Sequence, residues 1–439
     1  MKKIRSFITL ALALTFVMTL LGPALAQDNS VTFLSTQFNI VEEAEKAQNI
    51  MNDAEGVTIE YSGLEEGPLL DKLRVAAETE ESQGDLVGAL HGTFPTMVQE
   101  DMLLDLTPLL EELEADLELP SAFVELGKMG SDNYQYYIPW MQATYVMAAN
   151  VEAMQYLPED VAYDPENPSQ LYITWEQLAQ WAANMEAGEG KKLLGLPVGG
   201  LIHRFLQGYL YPSFTGGMVT GFKTEEAVEM WTFFRDELWP HVNEQSITYE
   251  FMQEPLLAGE VWVAFDHTAR LKDAFEQQPD NFVAFAAPAG PAGRGFMPVL
   301  VGLGIPYTSS NPDGAEDAIR FLMDPNTQGR VLADLGFFPV TGGVDTSEMP
   351  TYVQIEEAAV NAQANAEDAI PALLPVGLGD YGGPFSQIYK DTLFRILVDG
   401  DDIAAVLAEQ GELLQTLMND AGAPCWPPDA PSEGPCQLK

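Results

Sequence analysis

The first part of the chain alternates short apolar runs with longer amphipathic segments. VTFLS (31–35), VTIEY (57–61) and DLVGAL (85–90) have the length and residue types of strands. Between them, VEEAEKAQNIMNDA (41–54) and the segment 68–80 repeat apolar residues at helical spacing. Strands that alternate with helices indicate βαβ units, and open α/β folds bind ligands in the loops at the carboxyl ends of such strands.

A second series of apolar runs begins after Pro139, and from about residue 351 the chain is predicted to be mostly helical. The second series therefore predicts a second α/β unit. Its predicted strands are TYVMAA (144–149), LLGLPV (193–198), VWVAF (261–265), FVAFA (282–286) and PVLVGLGI (298–305).

Four helix starts in this second series have clear sequence signals. Thr174 and Gln177 form a capping-box pattern, and an apolar stripe predicts a helix that begins at Thr224. Asn311 and Asp324 each place a capping side chain directly before a proline, which is favoured in the first helical turn.

The N-terminus has the pattern of a secretory signal peptide over residues 1–26. Basic residues precede an apolar run over 7–21, and Ala24-Leu25-Ala26 is a small-residue cleavage motif. The run is shorter than the roughly 20 residues that a membrane-spanning helix needs. The alternative is a retained amphipathic anchor. No cysteine follows the run, so the pattern favours an exported protein that is not lipid-anchored.

Both cysteines lie near the C-terminus, where Cys425 and Cys436 bracket the segment CWPPDAPSEGPC. In an exported protein this pair predicts a local disulfide that closes the tail 421–439. The C-x-x-C spacing of a thioredoxin-like redox site is absent.

The charge of the chain is strongly negative. Sixty-six Asp and Glu residues face 20 Lys and Arg, for a net charge of −46. This charge excludes nucleic acid and anionic membrane surfaces as plausible partners. The acid excess is either a binding surface for cations or basic partners, or a solvated surface suited to salty or acidic surroundings.

Motifs of known enzyme classes are missing from the sequence. The four histidines never form H-E-x-x-H, and neither a G-x-S-x-G elbow nor a phosphate-binding loop is present. One G-x-G-x-x-G pattern, at 377–382, lies late in the chain beside Gly-Pro, which is typical of a turn-rich loop. We therefore predict no catalytic residues, no metal site and no cofactor.

Several stretches, in their order along the chain, resemble the extracellular solute-binding proteins of bacterial ABC importers, a family that includes maltose-binding and other sugar-binding proteins. These stretches are DLVGALHGTFPTMVQEDMLLDLTP (85–108), YYIPWMQATYVMAANVEAM (136–154), ITWEQLAQWA (173–182), GEVWVAFDHTARL (259–271) and FMPVLVGLGIPYTSSNPDGAEDAIRFLMDPNTQGRV (296–331).

The resemblance implies a two-lobed α/β fold of the Venus-flytrap type. Each lobe is expected to have a mainly parallel sheet flanked by helices, with a helical C-terminal segment. The expected boundaries are 27–139 plus 301–350 for lobe 1, 140–144 and 296–300 for the hinge crossings, 145–295 plus 351–420 for lobe 2, and 421–439 for the tail.

The function implied by the resemblance is that of a monomeric, non-catalytic carbohydrate-binding subunit in the periplasm or another extracytoplasmic space. It would deliver a sugar or oligosaccharide to the permease subunits of an ABC transporter. The alternatives are a binding protein for a polyamine or polyol, a secreted carbohydrate-active enzyme, and a structural or adhesive surface protein.

Candidate ligand-binding residues follow from the resemblance and from the aromatic and polar groups that sugars require. Core packing is the alternative for Trp140, and a surface ion pair is the alternative for Arg204. Ala89, Gly92 and Ala269 replace residues of maltose binders, which argues against maltose itself. The candidates are Gln37, His91, Thr93, Phe94, Trp140, Gln142, Arg204, Asp266, His267, Arg270, Phe296, Tyr381 and Phe385.

Overall fold

The computed structural model describes residues 29–342 and 344–439. The predicted signal peptide lies outside the described residues. The strands are β1 (Ser30–Ser35), β2 (Thr58–Gly63), β3 (Leu86–Leu90), β4 (Ile138–Ala143), β5 (Tyr145–Asn150), β6 (Leu194–Gly195), β7 (Val263–His267), β8 (Phe282–Phe285), β9 (Arg294–Phe296), β10 (Val299–Gly304), β11 (Phe338–Pro339) and β12 (Ala369–Pro371).

Helices lie between most of these strands, and short 3₁₀ or π turns extend several of them. The α-helices are α1 (Val41–Met51), α2 (Glu66–Thr79), α3 (Phe94–Gln99), α4 (Thr107–Asp116), α5 (Ser121–Gly127), α6 (Trp175–Glu189), α7 (Ile202–Phe205), α8 (Tyr211–Thr215), α9 (Glu225–Phe233), α10 (Gln253–Leu257), α11 (Lys272–Gln277), α12 (Pro312–Met323), α13 (Pro325–Leu335), α14 (Thr351–Ala364), α15 (Gly382–Leu393) and α16 (Ile403–Ala421).

The first sheet has the strand order β11-β4-β10-β3-β1-β2. The pairs β1·β2 and β1·β3 are parallel, as the βαβ pattern predicts, and their carboxyl ends share one edge. The pairs β10·β3, β10·β4 and β11·β4 are antiparallel. The expectation of a mainly parallel sheet is therefore wrong for this half, because β10, which enters from the other sheet, and β11 run against their neighbours β3 and β4.

The second sheet has the order β6-β7-β5-β8, and only β6·β7 is a parallel pair among these described strands. This sheet is also mixed rather than mainly parallel. The chain passes directly from β4 to β5 through the single residue Thr144, and it returns to the first sheet between β9 and β10. It leaves again after β11, since α14 packs on β8.

The predicted helix caps are confirmed. The Thr174 hydroxyl accepts a hydrogen bond from the Gln177 amide nitrogen (3.2 Å), and the Gln177 side chain accepts one from the Thr174 nitrogen (3.0 Å). Asn311 and Asp324 cap α12 and α13 through their side-chain oxygens. These bonds satisfy backbone N–H groups that have no partner inside the helix.

Large aromatic side chains fill the core on both sides of the crossings. Trp175 and Trp231 are fully buried, as are Tyr209 and Tyr211. Of the predicted strand LLGLPV, only Leu194–Gly195 pairs in the sheet. No helix among residues 29–342 and 344–439 is both long and apolar enough to span a membrane.

The tail is closed by the predicted disulfide between Cys425 and Cys436. Its buried Asp429 accepts hydrogen bonds from the backbone nitrogens of Met218 (3.0 Å), Val219 (2.7 Å) and Thr220 (3.0 Å). The tail is therefore packed on the second half of the molecule by specific polar contacts.

Candidate functional site

Two neighbouring cavities lie between the two sheets, with volumes of about 430 Å³ and 480 Å³. They share Leu90, Arg204 and Leu374 as lining residues, so they form one continuous cleft. We call them the first and second cavities of the cleft. Each volume lies within the range of roughly 300–1,000 Å³ that is usual for small-molecule sites.

The wall from the first sheet is built at the carboxyl ends of its parallel strands. Gln37 follows β1, Glu66 begins the helix after β2, and Thr93 lies in the turn after β3. Glu43 lies in the first turn of α1 and lines the second cavity. This is the edge at which the βαβ pattern predicts a ligand site.

Two of the carboxylates of this wall, Glu43 and Glu66, are partly desolvated. Burial raises the pKa of Glu43, and the opposite charge of Arg270 counteracts that effect. Burial also raises the pKa of Glu66, against the effects of the Thr93 hydroxyl and the charge of Arg204. Both carboxylates therefore face arginines of the opposite wall.

The wall from the second sheet contains Tyr145, the first residue of β5, and His267, the last residue of β7. Burial lowers the pKa of His267 to about 3, so its ring is neutral at ordinary pH. The backbone nitrogen of Ala269 donates to its Nδ1 (3.2 Å). The imidazole is thus a fixed, uncharged surface of the second cavity.

Two arginines, Arg204 and Arg270, lie on this wall, which Lys272 also lines. Arg204, in α7, donates to Gln207 Oε1 (3.1 Å) and lines both cavities. The alternative of a surface ion pair for Arg204 is wrong, because no carboxylate of the described residues lies within 4.0 Å of its guanidinium nitrogens. Arg270 stacks on the ring of Phe251, with 4.5 Å from Cζ to the ring centroid.

A C-terminal segment closes the first cavity. Leu374 and the start of α15 line it, and Lys390 lies deeper in the same helix. The backbone nitrogen of Gly377 donates to the carbonyl oxygen of Gly92 (3.2 Å). This segment therefore touches the turn after β3 directly.

The structure brings five of the thirteen predicted site residues to the cleft and leaves eight outside its lining. The five are Gln37, Thr93, Arg204, His267 and Arg270. The eight are His91, Phe94, Trp140, Gln142, Asp266, Phe296, Tyr381 and Phe385.

Four of the eight are rings buried in the core. His91 Nδ1 lies 2.8 Å from the Tyr137 hydroxyl, and burial lowers the pKa of His91 to about 4. The rings of Phe94 and Tyr137 pack with centroids 4.3 Å apart. Trp140 and Phe385 are both 0% exposed. Trp140 is therefore packed in the core, which is the alternative inferred for it from the sequence.

The other four predicted site residues lie at separate positions outside the lining of the cleft. The Gln142 side chain donates to the Pro339 carbonyl (3.3 Å). Asp266 is fully buried, where burial raises its pKa to about 7, and it accepts from the backbone nitrogens of Met252 and His267. Phe296 lies in β9, and Tyr381 is 38% exposed outside the lining of either cavity.

Several lining residues were not predicted from the sequence. Glu43, Glu66, Tyr145, Phe251 and Lys390 all line the cleft. Glu66 follows the predicted strand VTIEY (57–61) by five positions, and this place after a strand of the βαβ pattern is a usable signal. Tyr145 lies in a strand, and Glu43, Phe251 and Lys390 lie on helices or in a loop whose orientation depends on tertiary packing.

The cleft offers hydrogen-bond donors and acceptors on both walls, and most of its aromatic side chains line the second cavity. These are Phe38, Tyr145, Phe251, Phe337 and His267, whereas His203 lines the first cavity. Across residues 29–342 and 344–439, no group of three or more His, Cys, Asp or Glu side chains could hold a metal ion. This chemistry suits reversible binding of a polar solute.

Solved structures with the same fold cover almost the whole chain. The maltose-bound MalE3 protein of T. maritima matches with a TM-score of 0.68 at 17% identity, over 88% of this chain and 99% of that one. UgpB from Mycobacterium tuberculosis, in complex with glycerophosphocholine, matches with a TM-score of 0.68 at 17% identity, over 89% and 98%.

A third similar structure is the ABC substrate-binding protein Lmo0181 from Listeria monocytogenes in complex with cycloalternan. It has a TM-score of 0.66 at 14% identity and covers 89% of this chain and 98% of that one. These matches confirm the predicted two-lobed α/β fold.

Sequence comparison gives the family. None of the curated proteins is similar enough in sequence to be recognised as a relative. The family model of bacterial extracellular solute-binding proteins matches residues 39–329, which is more than half of the chain. Members of this family bind small solutes outside the cytoplasm and work with ABC permeases. The chain belongs to the bacterial extracellular solute-binding proteins.

Proposed function

We propose that this chain is the carbohydrate-binding subunit of an ABC importer and holds a sugar or oligosaccharide in the cleft between its two sheets. One observation carries the proposal: two cavities, joined at Arg204 and lined from both sheets, form a single polar cleft beside the chain crossings. A solute bound there contacts both halves of the protein and favours their closed arrangement.

The lining of the second cavity suits a sugar. Gln37 and Asn39 supply amide groups, and Glu43 supplies a carboxylate that accepts hydrogen bonds from hydroxyl groups. The ring of Phe251 offers a face or edge for the C–H groups of a sugar. Two relatives of the same fold were solved with maltose and with cycloalternan, which supports a carbohydrate for this chain.

The two lobes and the hinge between them are proposed from where the chain passes between the sheets. Residues 27–139 with 301–350 form lobe 1, and residues 145–295 with 351–420 form lobe 2. The crossings at 140–144 and 296–300 act as the hinge, and the tail 421–439 moves with lobe 2. Closure then presents one surface, made from both lobes, to the membrane permease.

The remaining properties are part of the same proposal. The chain is exported by a cleavable signal peptide over residues 1–26, carries no lipid anchor and acts as a monomer. It returns its solute chemically unchanged, because the cleft is used for binding and not for turnover. The proposal is tested against three alternatives: binding of a polyamine, binding of a polyol, and catalysis.

The test is calorimetric titration of the exported protein, residues 27–439, with mono- and oligosaccharides, polyols and polyamines. We expect one carbohydrate to bind at one molecule per chain and to be recovered unchanged. At one hundred times its dissociation constant it should stabilise the fold by about 2.7 kcal/mol. Binding of a polyamine instead, or release of a cleaved product, would contradict the proposal.

A matched pair of variants links the binding to the cleft. Gln37→Ala removes a lining amide and should weaken carbohydrate binding about three- to tenfold, as expected for one neutral hydrogen bond. Gln180→Ala changes an exposed amide on α6 and should leave the affinity unchanged. Equal affinities of the two variants would place the solute elsewhere.

A further inference from the structure

The arginines of this protein fall into two groups. Eight of them lie in the described residues, in a chain where 66 acids outnumber 20 Lys and Arg. Arg204 and Arg270 have no carboxylate oxygen within 4.0 Å among the described residues, although carboxylates are abundant. The other six all pair with Asp or Glu: Arg74, Arg235, Arg294, Arg320, Arg330 and Arg395.

Both unpaired arginines line the cleft. Arg204 is common to its two cavities, and Arg270 lines the second. Lys390, which lines the first cavity, also lacks an ion pair within the described residues. Burial lowers the pKa of Arg204 and of Lys390, and the charge of Arg204 lowers that of Lys390 further. Three cationic side chains of the cleft therefore have no carboxylate partner within ion-pair distance among the described residues.

Arg204 and Arg270 line the same cavity. Burial raises the pKa of Tyr145 to about 12, and the charges of Arg204 and then Arg270 oppose that rise. Both arginines line the second cavity together with Tyr145, the first residue of β5. Gln207 holds Arg204, and the Phe251 ring holds Arg270, so both groups are oriented before any solute arrives.

The opposite wall carries the complementary chemistry. Glu43 and Glu66, from the first sheet, lie near Arg270 and Arg204 but beyond ion-pair distance. A carboxylate accepts hydrogen bonds from hydroxyl groups, whereas a guanidinium only donates and binds planar anions in bidentate fashion. Arg204 and Arg270, the arginines without carboxylate partners, therefore lie on the second-sheet wall, and Glu43 and Glu66 face them from the first-sheet wall.

We infer that the solute is an anionic carbohydrate, a sugar phosphate or a sugar acid, whose negative group binds between Arg204 and Arg270 while its hydroxyl groups donate to Glu43 and Glu66. The inference rests on the proposed function and narrows it to a charged solute. A neutral sugar leaves the desolvated guanidinium group of Arg204 and the unpaired guanidinium group of Arg270 without a counter-charge, which a phosphate or carboxylate supplies.

The test compares matched series of probes by calorimetry: glucose with glucose 6-phosphate and glucuronate, galactose with galactose 6-phosphate and galacturonate, and inorganic phosphate alone. In the series that binds, a charged member should bind at least about tenfold more tightly than its neutral parent. Each series contains a sugar phosphate and a uronate, and their relative affinities identify which anion the protein prefers. Raising the ionic strength from about 0.01 M to about 0.15 M should weaken the charged member selectively.

Variants assign the effect to the arginines. Arg204→Gln and Arg270→Gln should each weaken binding of the charged member about tenfold or more, and binding of the neutral parent less than about threefold. The control Arg235→Gln removes an exposed arginine that pairs with Asp236 and should change neither affinity.

The results of these experiments distinguish the inference of an anionic solute from the proposed carbohydrate-binding function. If a neutral sugar binds as tightly as its charged relatives, or if the arginine variants weaken both equally, the anionic solute is wrong and the carbohydrate-binding function stands. If neither these series nor the mono- and oligosaccharides of the wider panel bind to a protein that unfolds cooperatively, both are wrong. Binding of inorganic phosphate as tight as that of a sugar phosphate would also overturn the inference, since hydroxyl recognition would then contribute nothing.

Discussion

The hydroxyl of Thr144 donates a hydrogen bond to the carbonyl oxygen of Met297 (3.0 Å). Thr144 is the single residue between β4 and β5, and Met297 lies between β9 and β10. The bond therefore joins the two segments through which the chain passes between the sheets. Tyr209 completes the arrangement, since its hydroxyl donates to the Tyr145 carbonyl (2.9 Å) and accepts from the Tyr145 nitrogen (3.0 Å).

Thr144→Val should lower the free energy of unfolding by about 1–2 kcal/mol. Valine keeps the shape of threonine but leaves the buried Met297 carbonyl without its donor. Urea unfolding measures the change. Thr232→Val is the control, because the exposed Thr232 hydroxyl only donates to a carbonyl of its own helix. Equal stability of the two variants would show that the bond between the crossings contributes nothing to folding.

A second prediction concerns the close approach of Gly92 to the C-terminal segment. A Cβ atom on Gly92 would lie 1.9 Å from the Pro375 carbonyl oxygen, so the backbones must separate in Gly92→Ala. We expect a loss of about 1–3 kcal/mol of stability, or an equivalent loss of solute affinity if the segments part without unfolding. Urea unfolding and calorimetric titration together measure both effects.

Gly67→Ala is the matched control for this contact. Gly67 lines the same cavity, but nothing lies within 4 Å of the Cβ that alanine would add. It lies in the first turn of α2, where alanine is favoured over glycine. A loss of stability in Gly67→Ala as large as in Gly92→Ala would mean that steric contact is not the cause.

The third prediction tests the attachment of the disulfide-closed tail. Asp429→Asn should destabilise the protein by about 2–3 kcal/mol, because an amide cannot accept all of the backbone hydrogen bonds that the Asp429 carboxylate accepts from Met218, Val219 and Thr220. Thermal unfolding measures the change. Asp420→Asn, at an exposed site on α16, should have no effect; a similar melting temperature for both variants would refute the role of Asp429.

Local sequence signals predicted most of the elements but not the direction of the strands. The capping box at Thr174 and the proline-led starts of α12 and α13 depend on residues within one turn, so the sequence contains them in full. The antiparallel placement of β10 between β3 and β4 depends on where the chain returns from the second sheet. No local pattern encodes that return.

The residues of the cleft were harder to predict than the helices and strands, because contacts between distant parts of the chain determine which side chains line it. Phe385 resembled a stacking residue, but its ring packs against Trp426 of the tail, with centroids 5.7 Å apart. A pattern around residue 385 contains no information on a contact 41 positions away. Arg204 and Arg270 were named as candidates, yet only the three-dimensional arrangement shows that both lack the carboxylate partners of the other arginines.

The last prediction concerns a buried acid away from the cleft. Glu356, in α14, is 0% exposed, and neither of its carboxyl oxygens has a hydrogen-bond partner among the described residues. Burial raises its pKa well above 4.5, and the charge of Lys272 offsets only part of this rise. The folded protein therefore binds this proton more tightly than the unfolded chain does.

The sign of the resulting pH dependence follows from linkage. A raised pKa in the folded state favours folding at low pH, and that contribution is lost as the pH rises above about 4.5. Glu356→Gln is neutral at every pH and should become progressively more stable than the wild type between about pH 5 and about pH 8, by up to about 1.4 kcal/mol per pH unit. Urea unfolding across this range measures the difference, with the exposed Glu367→Gln as control. A stability difference between Glu356→Gln and the wild type that stays constant with pH would mean that Glu356 titrates alike in the folded and unfolded states, and hence that its carboxyl group reaches water in the folded protein.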